Sequence, residues 1–297
     1  MNGSVSILCV NFNGKDQIKD FLLSVNKLRF DKKNLETIVI DNYSTDGSTD
    51  LIEKEFKDVK LIKLKENKGY APALNIGIAA ARGNYFLITN NDLTLGPNCL
   101  NTLLAYSKNH PKVAIAGGKI ISKKNRREII SSYQTFNYLT GKIEMGKIAI
   151  KKPTSVQWVQ GCAMFIPKKI LKIIGPFDAG FAKIYFEDLD LCRRAQLAGF
   201  QTVVIPKAVF YHFQSFTMDN LVSKKFKWSN WHKNKIRFVL KHASPFQIVT
   251  ILIFEATSSI FQTFFKNQPH IGPFLNALVV NFKALDEIKK KRAGLYG

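Results

Sequence analysis

The sequence predicts an α/β fold, with a mostly parallel central sheet flanked by helices and a basic, helical C-terminal extension. Three observations predict it. Strand-like and helix-like patterns alternate through the first half of the chain. Three apolar runs end in polar or acidic residues at Asn11, at Asp41-Asn42 and at Asn90-Asn91-Asp92. Beyond residue 212 the pattern gives way to lysines interleaved with aromatics and then to long apolar runs. Two units are therefore expected, an α/β part over 1–212 and an extension over 213–297.

Residues 5–10 form a short apolar run, as a strand covered on both faces requires. Residues 16–25 carry Ile18, Leu22 and Val25 on one helical side. Residues 37–40 read as a buried strand, and 48–56 as a helix with Ser48 as N-cap. Residues 59–64 alternate like a strand nearer an edge. An Ala-rich helix over 71–81 is stopped by Gly83. A buried strand over 85–89, a helix over 97–107 with Pro in its first turn, and a strand over 113–116 follow. The Lys-rich stretch 121–153 reads as loops with short strands. Residues 156–167 look strand-like, 188–198 helical with Gly199 as the stop, and 202–205 form the last strand, with His212 soon after.

The 297 residues carry a net charge of +22, which calls for an anionic partner: nucleic acid, a phosphorylated small molecule or an acidic membrane. Cys9, Cys99, Cys162 and Cys192 are scattered without a Cys-x-x-Cys pair. That spacing indicates neither a zinc site nor a disulfide framework, and it fits a reducing compartment. Residues 4–11 read as a strand rather than a signal peptide, so the expected location is cytoplasmic.

In a parallel sheet, ligands bind beyond the carboxyl ends of the strands. Asp41 can accept hydrogen bonds from a base or ribose hydroxyl, or can serve only its Ser/Thr/Gly-rich turn. Asn67-Lys68-Gly69-Tyr70 opens a helix whose N-terminus suits phosphate, or forms an ordinary loop. No phosphate-loop motif and no Gly-x-Gly-x-x-Gly follows the first strand, which argues against a nucleotide hydrolase or a dinucleotide dehydrogenase. Asp92 and Asn90 offer hard oxygen ligands for a cation on a diphosphate, or merely end a strand. Glu187, Asp188 and Asp190 complement a helix dipole, or supply a general base from Asp188 while Asp190 braces the helix. His212 is structural, or completes a metal shell.

Taken together, these segments resemble the family 2 glycosyltransferases with their GT-A fold. The resemblance rests on Val10-Asn11-Phe12-Asn13, Asp41-Asn42-x-Ser44-x-Asp46-Gly47-Ser48, Asn67-x-Gly69-Tyr70-Ala71 with Asn75, and Asn90-x-Asp92. It continues through Gly161-Cys162-Ala163-Met164, Gly175-Pro176-Phe177-Asp178 and Phe186-Glu187-Asp188-Leu189-Asp190-Leu191-Cys192. It implies an inverting transferase that moves a sugar from a nucleotide-diphosphate donor to a glycan or lipid-linked glycan in cell-surface polysaccharide synthesis. Asp188 is then the base. Val10, Asn11, Asp41, Asn42, Asn67, Gly69, Tyr70, Asn75, Asn90, Asn91 and Glu187 surround the nucleotide sugar. Asp92 and His212 hold Mg2+ or Mn2+. Asn90 stands where the family more often has Asp, as in a branch similar to bacterial rhamnosyltransferases, which puts dTDP-rhamnose among the candidate donors while the sequence itself leaves the sugar open. Phe213-Gln214-Ser215 departs from the usual Gly and Ser spacing after the His.

A catalytically inactive scaffold conflicts with the presence of Asp92 and Asp188. A nucleic-acid-binding protein would explain the charge, but no recognised module is visible, so no nucleic-acid partner is expected. In the extension, residues 246–265 are long enough to span a bilayer, while Glu255 near the centre disfavours a free span. Flanking lysines suit a peripheral site on the anionic inner face of the cell membrane. A buried core or homodimer contact is the other use of this segment.

Overall fold

The computed structural model describes residues 3–125, 128–131, 133–146, 150–213 and 223–296. The elements run β1 (Val5–Asn11), α1 (Lys15–Asn26), β2 (Leu35–Asp41), α2 (Ser48–Glu55), β3 (Val59–Lys63), α3 (Tyr70–Ala80), β4 (Tyr85–Asn90), β5 (Leu93–Leu95) and α4 (Cys99–Asn109). Then come β6 (Val113–Ser122), β7 (Ile129–Ser131), β8 (Tyr133–Phe136), β9 (Ile143–Gly146), β10 (Thr154–Ser155), β11 (Ala163–Pro167), α5 (Lys168–Ile174), α6 (Glu187–Leu197) and β12 (Gln201–His212). The described chain closes with α7 (Lys224–His242), α8 (Pro245–Phe265), α9 (Ile271–Lys283) and α10 (Leu285–Tyr296). Gln214, Ser215 and Phe216 lie outside the described residues.

The main sheet has the order β10-β12-β6-β11-β4-β1-β2-β3, with β5 beside β12 and β7 beside β6. β1, β2, β3 and β4 are mutually parallel, whereas β11 runs antiparallel between β4 and β6. The sheet is therefore mixed. Alternation along β1 sorts its side chains into two cores. Leu8 and Val10 face the layer that contains Leu74, Phe186 and Phe238. Ile7 and Cys9 face the layer of α1 and α4, with Phe21 and Leu103. All four cysteines are buried and free.

Several expectations change in detail. Gly47 takes the cap of α2 at φ 77°, a conformation that glycine adopts without strain. Ser48 is instead the first helical residue, and its Oγ accepts from Asn11 Nδ2 at 2.9 Å. The strands expected at 113–116 and 202–205 are far longer, because β6 and β12 pair with each other across a bulge between Ile205 and Val209. Of 156–167, only β11 belongs to the main sheet, and the preceding loop carries Trp158, Gln160 and Gly161 to the cleft. Pro97 precedes α4 rather than opening it.

The boundary at 212/213 does not separate two packing units. Phe238 and Val239 of α7 and Ile251 of α8 lie in a core shared with the 1–212 part. α7 starts with Ser223 Oγ accepting from the Phe226 amide at 3.1 Å. α8 starts with a capping box between Ser244 and Gln247 and with proline in its first turn.

Candidate active site

Parallel register sets the ends of β1, β2 and β4 side by side, pairing Asn11 with Asp41 and Val10 with Asn90. Beyond them opens a cleft of about 780 Å3. It is lined by Val10, Asn42, Asn67, Gly69, Tyr70, Asn90, Asn91, Asp92, Glu187, Asp188 and His212. The Asp92 and Asp188 side chains, far apart in sequence, thus share one cavity large enough for a hexose.

Asp188 sits in the first turn of α6. The two residues before that helix, Tyr185 and Phe186, are both left-handed at φ 74° and 71°, unusual for aromatic side chains and a sign of strain held by the surroundings. Asp188 Oδ2 accepts from the Gly161 amide at 2.7 Å and Oδ1 from the Leu189 amide at 2.8 Å. A Cβ at Gly161 would press within 3.1 Å of Asp188 Cβ and Oδ2, so this position has little room for a larger residue. Burial pushes the Asp188 carboxyl above its ordinary range, although the Gly161 amide, the Trp158 side chain and the Leu189 amide work against it. Burial and the neighbouring Asp188 push Glu187 well above the usual range too. Glu187 Oε2 has no hydrogen-bond partner among the described residues.

Asp190 points away from the cleft. Arg194 Nε at 2.8 Å, His242 Nε2 at 2.8 Å and Lys241 Nζ at 2.6 Å surround it. It braces the helix, as read from the sequence.

Asp92 Oδ1 lies 3.1 Å from His212 Nε2, at the end of β12. The strands hold the pair together: His212 is opposite Leu93 in the ladder, and the Phe213 amide donates to the Asp92 carbonyl at 3.0 Å. No group of three or more His, Cys, Asp or Glu side chains suited to a metal occurs among the described residues. One carboxylate and one imidazole fit a hard cation that takes its remaining ligands from a diphosphate and water. Asn90 is not part of that set, because its Oδ1 accepts from the Tyr70 hydroxyl at 2.9 Å.

The remaining predicted residues divide. Asn42 donates to Asn67 Oδ1 at 3.1 Å and accepts from the Lys68 amide at 2.9 Å, which shapes the loop before α3. Gly69, at φ 87°, lets that loop touch the 182–183 backbone, since a Cβ there would lie 2.1 Å from the Ala182 carbonyl. Asn11 and Asp41 do not line the cleft. Asn11 Nδ2 donates to Asp41 Oδ1 at 3.1 Å, and its Oδ1 accepts from Asn91 at 2.8 Å. Asp41 Oδ2 accepts from the Ser44 amide at 2.9 Å. This network supports the wall from behind. Asn75 is a clearer correction. Both ends of its amide are engaged by the Phe177 backbone, at 2.8 and 3.0 Å, so it clamps the 175–178 turn away from the cleft.

Sequence reasoning missed Trp158, Lys183, Phe226 and Trp231, all on the cleft wall. Phe226 and Trp231 belong to the aromatics among lysines that marked α7 as unusual, but nothing local showed which way they face.

A family model described as Glycosyl transferase family 2 matches residues 6–190. The poly-beta-1,6-N-acetyl-D-glucosamine synthase of Staphylococcus aureus (strain MSSA476) is 26% identical over 230 residues, covering 76% of this chain and 53% of the relative. The synthase of the same name from Staphylococcus epidermidis is 25% identical over 290 residues, covering 95% and 66%. The chain thus spans about half to two thirds of these relatives. Among solved structures, GalNAc-T7 with UDP, GalNAc and Mn2+ superposes with a TM-score of 0.73 at 16% identity, over 99% of this chain and 55% of that one. S. aureus TarS 1-349 with UDP-GlcNAc gives 0.65 at 17%, over 99% and 86%. The mannosyltransferase PcManGT from Pyrobaculum calidifontis, with GDP-Man and Mn2+, gives 0.58 at 14%, over 98% and 84%. At these identities the structural likeness speaks for the fold.

Proposed function

The chain belongs to glycosyl transferase family 2 and has the GT-A fold, and from that premise we propose that it transfers a sugar from a nucleotide-diphosphate donor to a hydroxyl of a glycan or lipid-linked glycan in cell-surface polysaccharide synthesis. The observation that carries the reading is the shared cleft of Asp92 and Asp188.

Asp188 takes the proton of the acceptor hydroxyl while that oxygen attacks the anomeric carbon. The carbon–oxygen bond to the diphosphate breaks, its electron pair leaves with the diphosphate, and the configuration inverts. A base with a raised pKa binds that proton more strongly, and the Gly161 and Leu189 amides fix its direction. The open Glu187 oxygen is suited to a hydroxyl of the donor sugar. Asp92 and His212 would hold a divalent cation, Mg2+ or Mn2+, which when bound neutralises charge on the departing diphosphate.

Two observations bear on the donor. The names of the relatives and of one solved neighbour favour UDP-GlcNAc. The resemblance of Asn90-x-Asp92 to a rhamnosyltransferase-like branch makes dTDP-rhamnose the other candidate. Metal-dependent hydrolysis across UDP-GlcNAc, UDP-GalNAc, GDP-Man and dTDP-rhamnose decides between them. Turnover of none of these, with metal and intact fold, would support an inactive scaffold instead.

A further inference from the structure

The helix α8 has 21 residues and a mean hydropathy of 1.6 in its most apolar stretch, enough to cross a bilayer by length and composition, yet only 17% of that stretch is buried. Its open face carries Phe246, Val249, Ile253, Ile260 and Phe264, each at least half exposed and at helical spacing. On α9, Leu275, Val279 and Phe282 extend the apolar surface, with Phe282 77% exposed. The opposite side of α8 is tied down. Glu255 is buried, 3.0 Å from His232 Nδ1 and paired with Lys235 Nζ. Burial raises the Glu255 carboxyl, but His232 and Lys235 outweigh that and hold it low, so it is an ion with its partners on α7. Inserting α8 as a lone span would strip that carboxylate of them.

Glu255 is the only acidic residue between positions 245 and 283, while Lys266 and Lys283, at the ends of α8 and α9, are exposed. A second copy would set +22 against +22. We propose that the α8–α9 face lies flat on an anionic bilayer, apolar residues in the headgroup boundary and lysines at its rim, without crossing it. Co-sedimentation of the full chain with phosphatidylcholine vesicles, with and without phosphatidylglycerol, tests this independently of any transfer assay. Binding should need phosphatidylglycerol and weaken with salt. An Ile253→Glu, Phe264→Glu double variant should bind at least about tenfold more weakly while keeping its nucleotide affinity. Equal pelleting of that variant would overturn the proposal. So would resistance to alkaline carbonate, which means a span, or a vesicle-free dimer dissolved by the same changes.

The helix beneath this hairpin, α7, lies beyond residue 190, where the family match ends. Asn234 is fully buried on it, and its Nδ2 donates to the carbonyls of Ile184 at 2.7 Å and Tyr185 at 3.0 Å. Trp231 packs edge-on against Tyr185 and Phe186, with ring centroids 5.4 and 5.3 Å apart. Between them these contacts reach Ile184 and the two left-handed residues Tyr185 and Phe186, three and two positions before Asp188. We infer that Asn234 is a positioning residue that holds the strained turn, and through it the Asp188 carboxylate, which rests on the reading of Asp188 as base. Asn234→Leu should lower kcat on the order of 10- to 100-fold per nucleotide-binding site, leave the donor KM unchanged and move the acid limb of the pH profile. Asn234→Gln, which keeps the donor group, should recover part of the loss. A variant that loses only thermal stability, with full kcat and an unmoved pH limb, would sink the role. Asp188→Asn run in parallel separates the failures: if it stays active the base assignment is wrong, and if it is dead while Asn234→Leu is not, only the positioning is.

Discussion

Asp188 and Asp190 stand two positions apart in the same first turn of α6, both buried, and their surroundings drive them in opposite directions. On the cleft side, Asp188 has amide partners and the Glu187 carboxyl beside it but no ion pair among the described residues, so burial wins and the acid holds its proton more tightly. On the far side, burial likewise raises Asp190, but Arg194, His242 and Lys241 overwhelm it and keep the acid well below the carboxylate range. Lys241 also reaches Asp178 at 2.9 Å, and Arg237 and Lys291 join it there. Asp178 is held far below its ordinary value by these cations against its own burial. The contrast teaches that one helix turn can carry the least and the best compensated carboxylates of the region. The cleft face leaves its carboxyls without a cation among the contacts described above, and the opposite face attaches α7.

The comparison can be broken from either side. Asp188→Asn should lower transfer by about 10²–10⁴ while donor affinity by calorimetry is unchanged, since it removes only the proton acceptor. Retention of more than a few per cent of activity would reject the assignment. Asp190→Asn should act on stability, because it leaves Lys241 and Arg194 short of a buried partner. A loss of roughly 3–5 kcal/mol in denaturant unfolding is expected. An unchanged midpoint would mean the far side is not an attachment. Asp92→Ala should weaken nucleotide-sugar binding by about tenfold, roughly 1.4 kcal/mol, and abolish the response to Mn2+. A metal response like that of the parent chain would remove Asp92 from the site.

Acidity sharpens the contrast further. Glu187 and Asp188 hold protons to higher pH when folded than when unfolded. Their contribution to stability therefore falls as pH rises from the ordinary carboxylate value of about 4 through the raised folded values. Asp178 and Asp190 do the reverse. Their stabilisation is complete above about pH 4 and is lost as pH falls toward the depressed folded values. Glu187→Gln should thus stabilise the fold by on the order of 1 kcal/mol at neutral pH, with the gain vanishing near pH 4, whereas the Asp190→Asn loss should shrink as the solution is acidified below that point. Thermal melts across pH check both signs. By the same logic the acid limb of kcat should lie above the ordinary carboxylate range.

Much of the α/β core was legible because its signals are local. The apolar run of β1, the amphipathic spacing of α1 and the Gly199 stop can each be read from a few neighbours, and each strand end that carried polar residues lies at the cleft or directly behind it. Long-range pairing was not legible. The length of β12 depends on β6, which lies far earlier in the chain, and the antiparallel insertion of β11 between β4 and β6 leaves no mark in its own apolar residues. Asn75 shows the same limit at the level of one side chain. Its position matched a ligand pattern, but the Phe177 backbone, brought close only by folding, engages its amide.

What the sequence by itself determined was the set of chemical groups and their places along the strands: the acids at Asp92 and Asp188, the imidazole at His212, and an α/β frame whose strand ends would gather them. Periodicity and motif order are properties of neighbours in the chain, so they survive without coordinates. Only the tertiary structure decided which carboxylates face the cleft and which face lysines. It alone turned Glu255 inward, left most of the rest of α8 bare, and made a C-terminal helix part of the cleft wall. Charge compensation and burial depend on distances between residues remote in sequence, and those distances exist only once the chain has packed.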